Sequence, residues 1–117
     1  VRQLRIMIEK KSDRNCKGCI DIYDFDPIHL RAGMGILIQK EYRKLGYAKE
    51  ALELIINYCF NVLLLKQLYC LIDILNTDSI NLFRKIGFQQ CGHRKDWIKT
   101  NKGFIDELEF QYINNNF

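Results

Sequence analysis

The chain has 117 residues, 48% hydrophobic and 27% charged, with a single proline. That is an ordinary globular composition, sufficient for one domain with one core and no more. The net charge of +4 suits anionic small molecules; the basic residues form no block interleaved with aromatics, so no nucleic-acid partner is expected.

No stretch reaches the roughly 18 uninterrupted apolar residues of a membrane span. The most apolar region, residues 51–65, is broken by Glu53, Asn57 and Asn61, and no membrane partner is expected. Val1-Arg2-Gln3-Leu4-Arg5 reads as the start of a strand, not as a signal peptide. With no initiator Met, the sequence reads as one that lacks an N-terminal portion. The cysteines, Cys16, Cys19, Cys59, Cys70 and Cys91, are odd in number and scattered. They argue against a secreted disulfide framework and for a reducing, cytoplasmic setting. Cys16-Lys17-Gly18-Cys19 is a lone C-x-x-C. A structural zinc needs four ligands, no partner pair exists, and no metal is expected.

In chain order, Gln3 to Glu9 alternates Leu4, Ile6 and Ile8, the pattern of a half-buried strand. Residues 10–18 are polar and turn-like. Cys19 to Phe25 is a second strand, and Asp26-Pro27 breaks it. Ala32 to Gln39 is a third, with the continuous apolar run Ile36-Leu37-Ile38 of a strand covered on both faces. From Lys44 the period changes: Ala48, Leu52, Ile55, Cys59 and Val62 mark one face of a helix ending near Leu65. Gln67 to Leu75 is a strand. Thr77 to Ile86 is a short helix, closed by Gly87. Phe88 to Trp97 and Phe104 to Tyr112 are strands joined by a turn at 100–103, and Asn114-Asn115-Asn116 reads as a frayed tail. The order β-β-β-α-β-α-β-β implies an α/β (α+β) domain with a mixed sheet, antiparallel at first and last. A right-handed crossover from Ile36 to Leu75 makes its two strands parallel.

The strongest local feature is Arg43-Lys44-Leu45-Gly46-Tyr47-Ala48, between the apolar strand and the long helix. The first turn of a helix has unpaired N–H groups and partial positive charge, and binds anions. Gly46 lets backbone approach a phosphate, Ala48 is small for the same reason, and Arg43, Lys44 and Lys49 add charge. The alternative is a glycine that merely opens a helix beside a solvated basic face. No G-x-G-x-x-G follows a strand, which disfavours a dinucleotide fold, and no G-x-x-x-x-G-K-[ST] occurs, which excludes a P-loop.

Arg43 to Ala48 resembles the R/Q-x-x-G-x-G/A acetyl-CoA signature of the GNAT superfamily of N-acetyltransferases. Residues 76–88, from Asn76 through Ser79, Leu82 and Phe83 to Gly87-Phe88, resemble that family's N-x-x-[AS]-x-x-L-[YF]-x-x-x-G-F. Asp24 to Gly33 and the following strand look most like the spermidine and ribosomal-protein acetyltransferase branches. The resemblance covers essentially the whole chain but begins at the family's second strand, so the N-terminal helices are absent. It implies one acetyl-CoA-binding N-acetyltransferase domain over residues 1–117, with a mostly antiparallel sheet, a splayed central parallel pair and flanking helices.

By that resemblance Ile36, Leu37 and Ile38 border the pantetheine arm, their backbone binding while their side chains pack. Residues Arg43, Lys44, Leu45, Gly46, Tyr47 and Ala48 hold the pyrophosphate. Asn76 bonds the cofactor or a water, or caps the helix. Ser79 lies close to the cofactor. Arg84 and Lys85 approach the adenosine end or form a solvated face. Phe83 sits beside the cofactor's sulfur, where many members carry a Tyr that protonates the leaving thiolate; Phe cannot donate a proton. Gly33 and Gly35 stand where related sequences often carry an acidic residue, leaving the catalytic base unknown, with His29 a candidate and Asp24 and Asp26 nearby. The implied reaction moves an acetyl group from acetyl-CoA to a primary amine such as a polyamine, a protein N-terminus or another small amine. The alternative is a non-catalytic CoA-binding or regulatory module of the same fold. Asp21, Asp24 and Asp26 could attract a cationic acceptor, and association as a homodimer is left open.

Overall fold

A computed structural model describes residues 3–9, 16–38 and 46–117. Its strands are β1 (Gln3–Glu9), β2 (Cys16–Asp26), β3 (Arg31–Ile38), β4 (Gln67–Asp73), β5 (Gln89–Thr100) and β6 (Gly103–Ile113). Its helices are α1 (Tyr47–Asn61) and α2 (Thr77–Ile86). One sheet contains all six strands in the order β1-β2-β3-β4-β6-β5. Only β3 and β4 run parallel; every other neighbouring pair is antiparallel. The crossover through α1 makes that one parallel pair.

Both helices lie on the same face. Leu52, Ile56 and Cys59 of α1 and Ile80 and Phe83 of α2 join one cluster with Ile20, Ile22, Ala32, Met34, Cys70, Ile72 and Phe110 of the sheet. Alternation sends the intervening strand residues to the other face. There Leu37 and Leu71 are exposed, and Asp21, Tyr23, Gly33 and Tyr69 share that side.

Several boundaries differ from the sequence pattern. β2 begins at Cys16, inside the expected turn, because Cys16 and Gly18 still pair with Glu9 and Ile8. The rest of that turn, residues 10–15, lies outside the described residues. α1 stops at Asn61, not near Leu65. Leu64 takes a left-handed φ of 58°, and the Leu65 N–H donates to Cys59 O, a helix-ending reversal that normally favours glycine. It exposes Val62, Leu63 and Leu64 and drives Leu65 fully into the core. Ile56 is buried with Leu52 and Cys59, Ile55 packs partly buried against the same core, and Val62 falls beyond the helix. Asn114 is not frayed: it is 7% exposed, and its side-chain amide donates to Leu65 O at 3.1 Å and to Phe60 O at 3.4 Å. It ties the end of β6 to the end of α1.

Candidate functional site

The parallel ladder between β3 and β4 is short. It joins Arg31 to Gln67, Ala32 to Leu68 and Gly33 to Tyr69, and then stops, although β3 runs on to Ile38 and β4 to Asp73. Each strand stays bonded on its far side: β3 to β2 as far as the Ile38–Gly18 pair, β4 to β6 as far as Asp73–Glu107. From Met34 and Cys70 onward the facing edges no longer pair with each other. Such edges present backbone donors and acceptors to an extended ligand that carries amides of its own.

A cavity of about 620 Å³ opens at this divergence. Ile36, Leu37 and Ile38 form one side, and Gly46, Ala48 and Lys49 close one end. Asn76, Asp78, Ser79, Asn81, Leu82 and Lys85 form the α2 side. α1 starts from Gly46 at φ 86°, and among the described residues no side chain caps it. Its first intrahelical bond runs from Glu50 N–H to Gly46 O, 3.1 Å. The start of the helix thus faces the cavity with no capping side chain to compete for its first-turn donors. A side chain at Gly46 would meet none of the described residues within 4 Å, and the positive φ by itself favours glycine here. Lys49 and Lys85 bring positive charge to the cavity.

On the other side Asn76 caps α2, its Oδ1 accepting from Ser79 N–H at 3.2 Å. It does this while lining the cavity.

The structure thus brings together Ile36, Leu37, Ile38, Gly46, Ala48, Asn76 and Ser79. The first three residues of the basic motif, Arg43, Lys44 and Leu45, lie outside the described residues. Tyr47 packs against the core cluster and is not on the wall. Phe83, expected beside the cofactor, is 2% exposed and meets the Phe88 ring edge-on at 5.0 Å. It faces the core, three residues on from Ile80, and the neighbouring Leu82 faces the cavity instead. Asp78 and Asn81 are not positions that the motifs define, and Leu82, a motif position, was given no site role. Their spacing with Lys85, three and four residues apart, was the signal, since such residues share a helix face.

His29 lies in the turn that precedes β3, away from the Ile36–Ile38 side of the cavity. Five residues of extended chain, about 16 Å, separate Arg31 from Ile36. The His29 ring, largely exposed, bonds Asp26 Oδ2 through Nδ1 at 3.0 Å. Asp26 also accepts from the N–H groups of Ile28 and His29. The His29 N–H, then its ring, hold the Asp26 carboxyl down at about 2. The pair stabilises a tight turn and has no contact with the cavity.

The five cysteines are unpaired: Cys19, Cys59 and Cys70 are buried, Cys16 is half-buried and Cys91 exposed. Burial pushes the Cys59 thiol up to about 11 and the Cys70 thiol to about 12. Among the described residues no three His, Cys, Asp or Glu side chains are grouped to hold a metal, and no helix is long and apolar enough to cross a membrane.

The diverging parallel pair offers unpaired backbone groups along its edges, and the start of α1 at one end favours an anion. A family model described as an acetyltransferase (GNAT) domain matches residues 2–89, and the chain belongs to that family. It is 37% identical over 75 residues to the spermidine N(1)-acetyltransferase of Escherichia coli strain K12, covering 64% of this chain and 40% of that protein. It is 24% identical over 115 residues to the spermidine N(1)-acetyltransferase of Vibrio cholerae, covering 94% and 66%. The chain therefore spans less than two thirds of the length of these curated relatives. Among solved structures, a mutant of the Vibrio cholerae spermidine N-acetyltransferase SpeG superposes with a TM-score of 0.89 at 22% identity, covering 96% of this chain and 66% of that one. A dodecameric structure of the same enzyme gives 0.88 at 22% identity, covering 96% and 65%. The mixed, mostly antiparallel sheet with its splayed parallel pair is thus the GNAT fold.

Proposed function

We propose that the protein is an acetyl-CoA-dependent N-acetyltransferase acting on a primary amine. The observation that carries this reading is the end of the β3–β4 ladder at Gly33 and Tyr69, with the cavity and the start of α1 directly beyond it. The pantetheine arm would bond the open edges of Met34–Ile38, and the pyrophosphate would meet the first turn of α1 near Gly46, Ala48 and Lys49. The adenosine end would run along Asp78, Asn81 and Lys85. In the reaction the amine nitrogen bonds the acetyl carbon as the carbon–sulfur bond breaks. The thiolate departs and takes up a proton, and the nitrogen loses one. The chain's contribution is positioning and polarisation of the carbonyl by strand N–H groups. With Phe83 unable to donate a proton, the thiolate is reprotonated by water; thiolates form readily enough near neutral pH for this to sustain turnover.

The spermidine acetyltransferases among the relatives make a polyamine the first acceptor to test. The dodecameric relative makes self-association part of the proposal, to be measured by light scattering. A non-catalytic CoA-binding module is the second reading, favoured by Phe83 and by the lack of a side chain at Gly33 and Gly35. Mass-spectrometric detection of acetylated amine from acetyl-CoA and a panel of amines separates the two. Acetylated product supports the enzyme; tight CoA binding with no product from any amine supports the module.

A further inference from the structure

Above the last rung of the parallel ladder, on the face away from the helices, lies a pair of tyrosine rings. Tyr23 pairs with Gly33 and Gly33 with Tyr69, so the three residues stand side by side across three strands. The Tyr23 ring occupies the space that a side chain at Gly33 would need: a Cβ there would collide with the Cε2 edge of the ring. The ring meets that of Tyr69 edge to face, with centroids 6.1 Å apart and planes at 90°. Immediately after Tyr23 the strand bulges. Three steps on β2, from Tyr23 to Asp26, match two on β3, from Gly33 to Arg31, and Asp24 takes a left-handed φ of 50°. Bulges of this kind re-aim a side chain next to a site.

The nearby aspartates differ in their engagements. Asp21 is bonded by Arg5 at 2.8 Å, and Asp26 is bonded by His29 and ion-paired with Arg31 at 3.7 Å. Asp24 makes no hydrogen bond or ion pair among the described residues and is exposed. Burial first, then the neighbouring Tyr69, Cys70, Asp24 and Glu107, push the Tyr23 hydroxyl up to about 12. Tyr23 is therefore a neutral ring with carboxylates close by.

We propose that Tyr23 is a specificity-determining residue of the acceptor site, its ring and that of Tyr69 receiving the methylene stem and distal ammonium of a diamine or polyamine, with Asp24 pairing that ammonium. The inference rests on the acetyl-transfer reading above. Aromatic faces attract alkylammonium groups, and the position is the one where the open sheet face meets the gap between β3 and β4. The acceptor's reacting nitrogen must be neutral to attack; a second, charged nitrogen is what Tyr23 and Asp24 recognise. Linear diamines are accordingly favoured over monoamines of the same length.

The test is calorimetric titration of CoA, and separately of 1,4-diaminobutane and n-butylamine on the CoA-saturated protein, for wild type, Tyr23→Leu, Tyr23→Phe, Asp24→Asn and Gly33→Ala. Diamine affinity is expected to fall about tenfold in Tyr23→Leu, the scale of one lost cation–π contact. It should stay within about threefold in Tyr23→Phe, which keeps the ring. In Asp24→Asn the preference for diamine over monoamine should shrink. Gly33→Ala, which forces the Tyr23 ring to move, should resemble Tyr23→Leu. CoA affinity should be unchanged in the Tyr23 and Asp24 variants, and thermal melts identify any variant that has lost its fold. Equal diamine affinity in wild type, Tyr23→Leu and Asp24→Asn overturns the proposal. Absence of CoA binding in the wild type overturns the acetyl-transfer reading instead, and the diamine titration repeated without CoA then decides the role of Tyr23.

Discussion

Gly33 and Tyr69 form the last backbone pair between β3 and β4. Beyond them the two central strands part, each held by an antiparallel neighbour on its outer side. The sheet thus stays intact around the gap, so its open edges can serve a ligand without loss of the fold.

At the far end of that gap, Gly46 has φ 86°. A Gly46→Ala chain must hold a side chain in a left-handed conformation, which costs about 1–2 kcal/mol. Urea unfolding should show that loss. Gly46→Glu adds bulk and negative charge at the proposed phosphate position, and CoA affinity should drop at least about tenfold, or 1.4 kcal/mol. An unchanged affinity in folded Gly46→Glu would remove the phosphates from this turn.

Phe83 is buried against Phe88. Phe83→Tyr places a hydroxyl in an apolar surround, and an unsatisfied buried hydroxyl costs about 1–3 kcal/mol. The expected result is a less stable protein with no gain in acetyl transfer. A variant of equal stability and higher turnover would mean that the ring reaches the leaving sulfur after all.

Asn114 satisfies the carbonyls of Phe60 and Leu65, and its own N–H donates to Lys66 O at 2.8 Å. Asn114→Ala leaves those side-chain bonds unmade, at a cost of about 1–3 kcal/mol. Chemical unfolding measures it. A change below about 0.5 kcal/mol, the range of ordinary surface substitutions, would show that this end of the chain is not anchored.

The turn at Asp26 has a pH signature. Its carboxyl is held at about 2, against 3.8 for the free group, first by the His29 N–H and then by the His29 ring. A depressed folded value contributes stability above the unfolded value and loses it as pH falls through the folded one. Wild-type stability should therefore decline between about pH 4 and pH 2, and Asp26→Asn should decline less steeply over that window. Identical slopes would contradict the assignment. His29→Ala should raise the Asp26 value, because the bond from the ring is lost.

Much of this was legible from local pattern. The strands, both helices, Gly87 and the parallel crossover follow from periodicity and turn chemistry, and the cavity gathers Ile36, Leu37, Ile38, Gly46, Ala48, Asn76 and Ser79 from two motifs far apart in sequence. What local pattern could not give depends on contacts distant in sequence. α1 stops early because Leu64 turns the chain and Leu65 finds the core. Asn114 looked polar and terminal but serves carbonyls 49 and 54 residues back. Phe83 shares a motif with cavity residues, yet one step along a helix is about 100° of rotation, enough to take it from the cavity to the core. His29 precedes β3 in sequence, and its ring is engaged by Asp26 within the turn.

The most direct test of the central claim is amide-resolved NMR during titration with acetyl-CoA. Saturable shifts are expected at Ile36–Ile38, at the start of α1 from Gly46 to Lys49, and along α2 from Asn76 to Lys85. The smaller cavity of about 290 Å³ beside Phe60, Tyr112 and Asn114 should remain unperturbed. No saturable shifts, or shifts confined to that smaller cavity, would contradict the account.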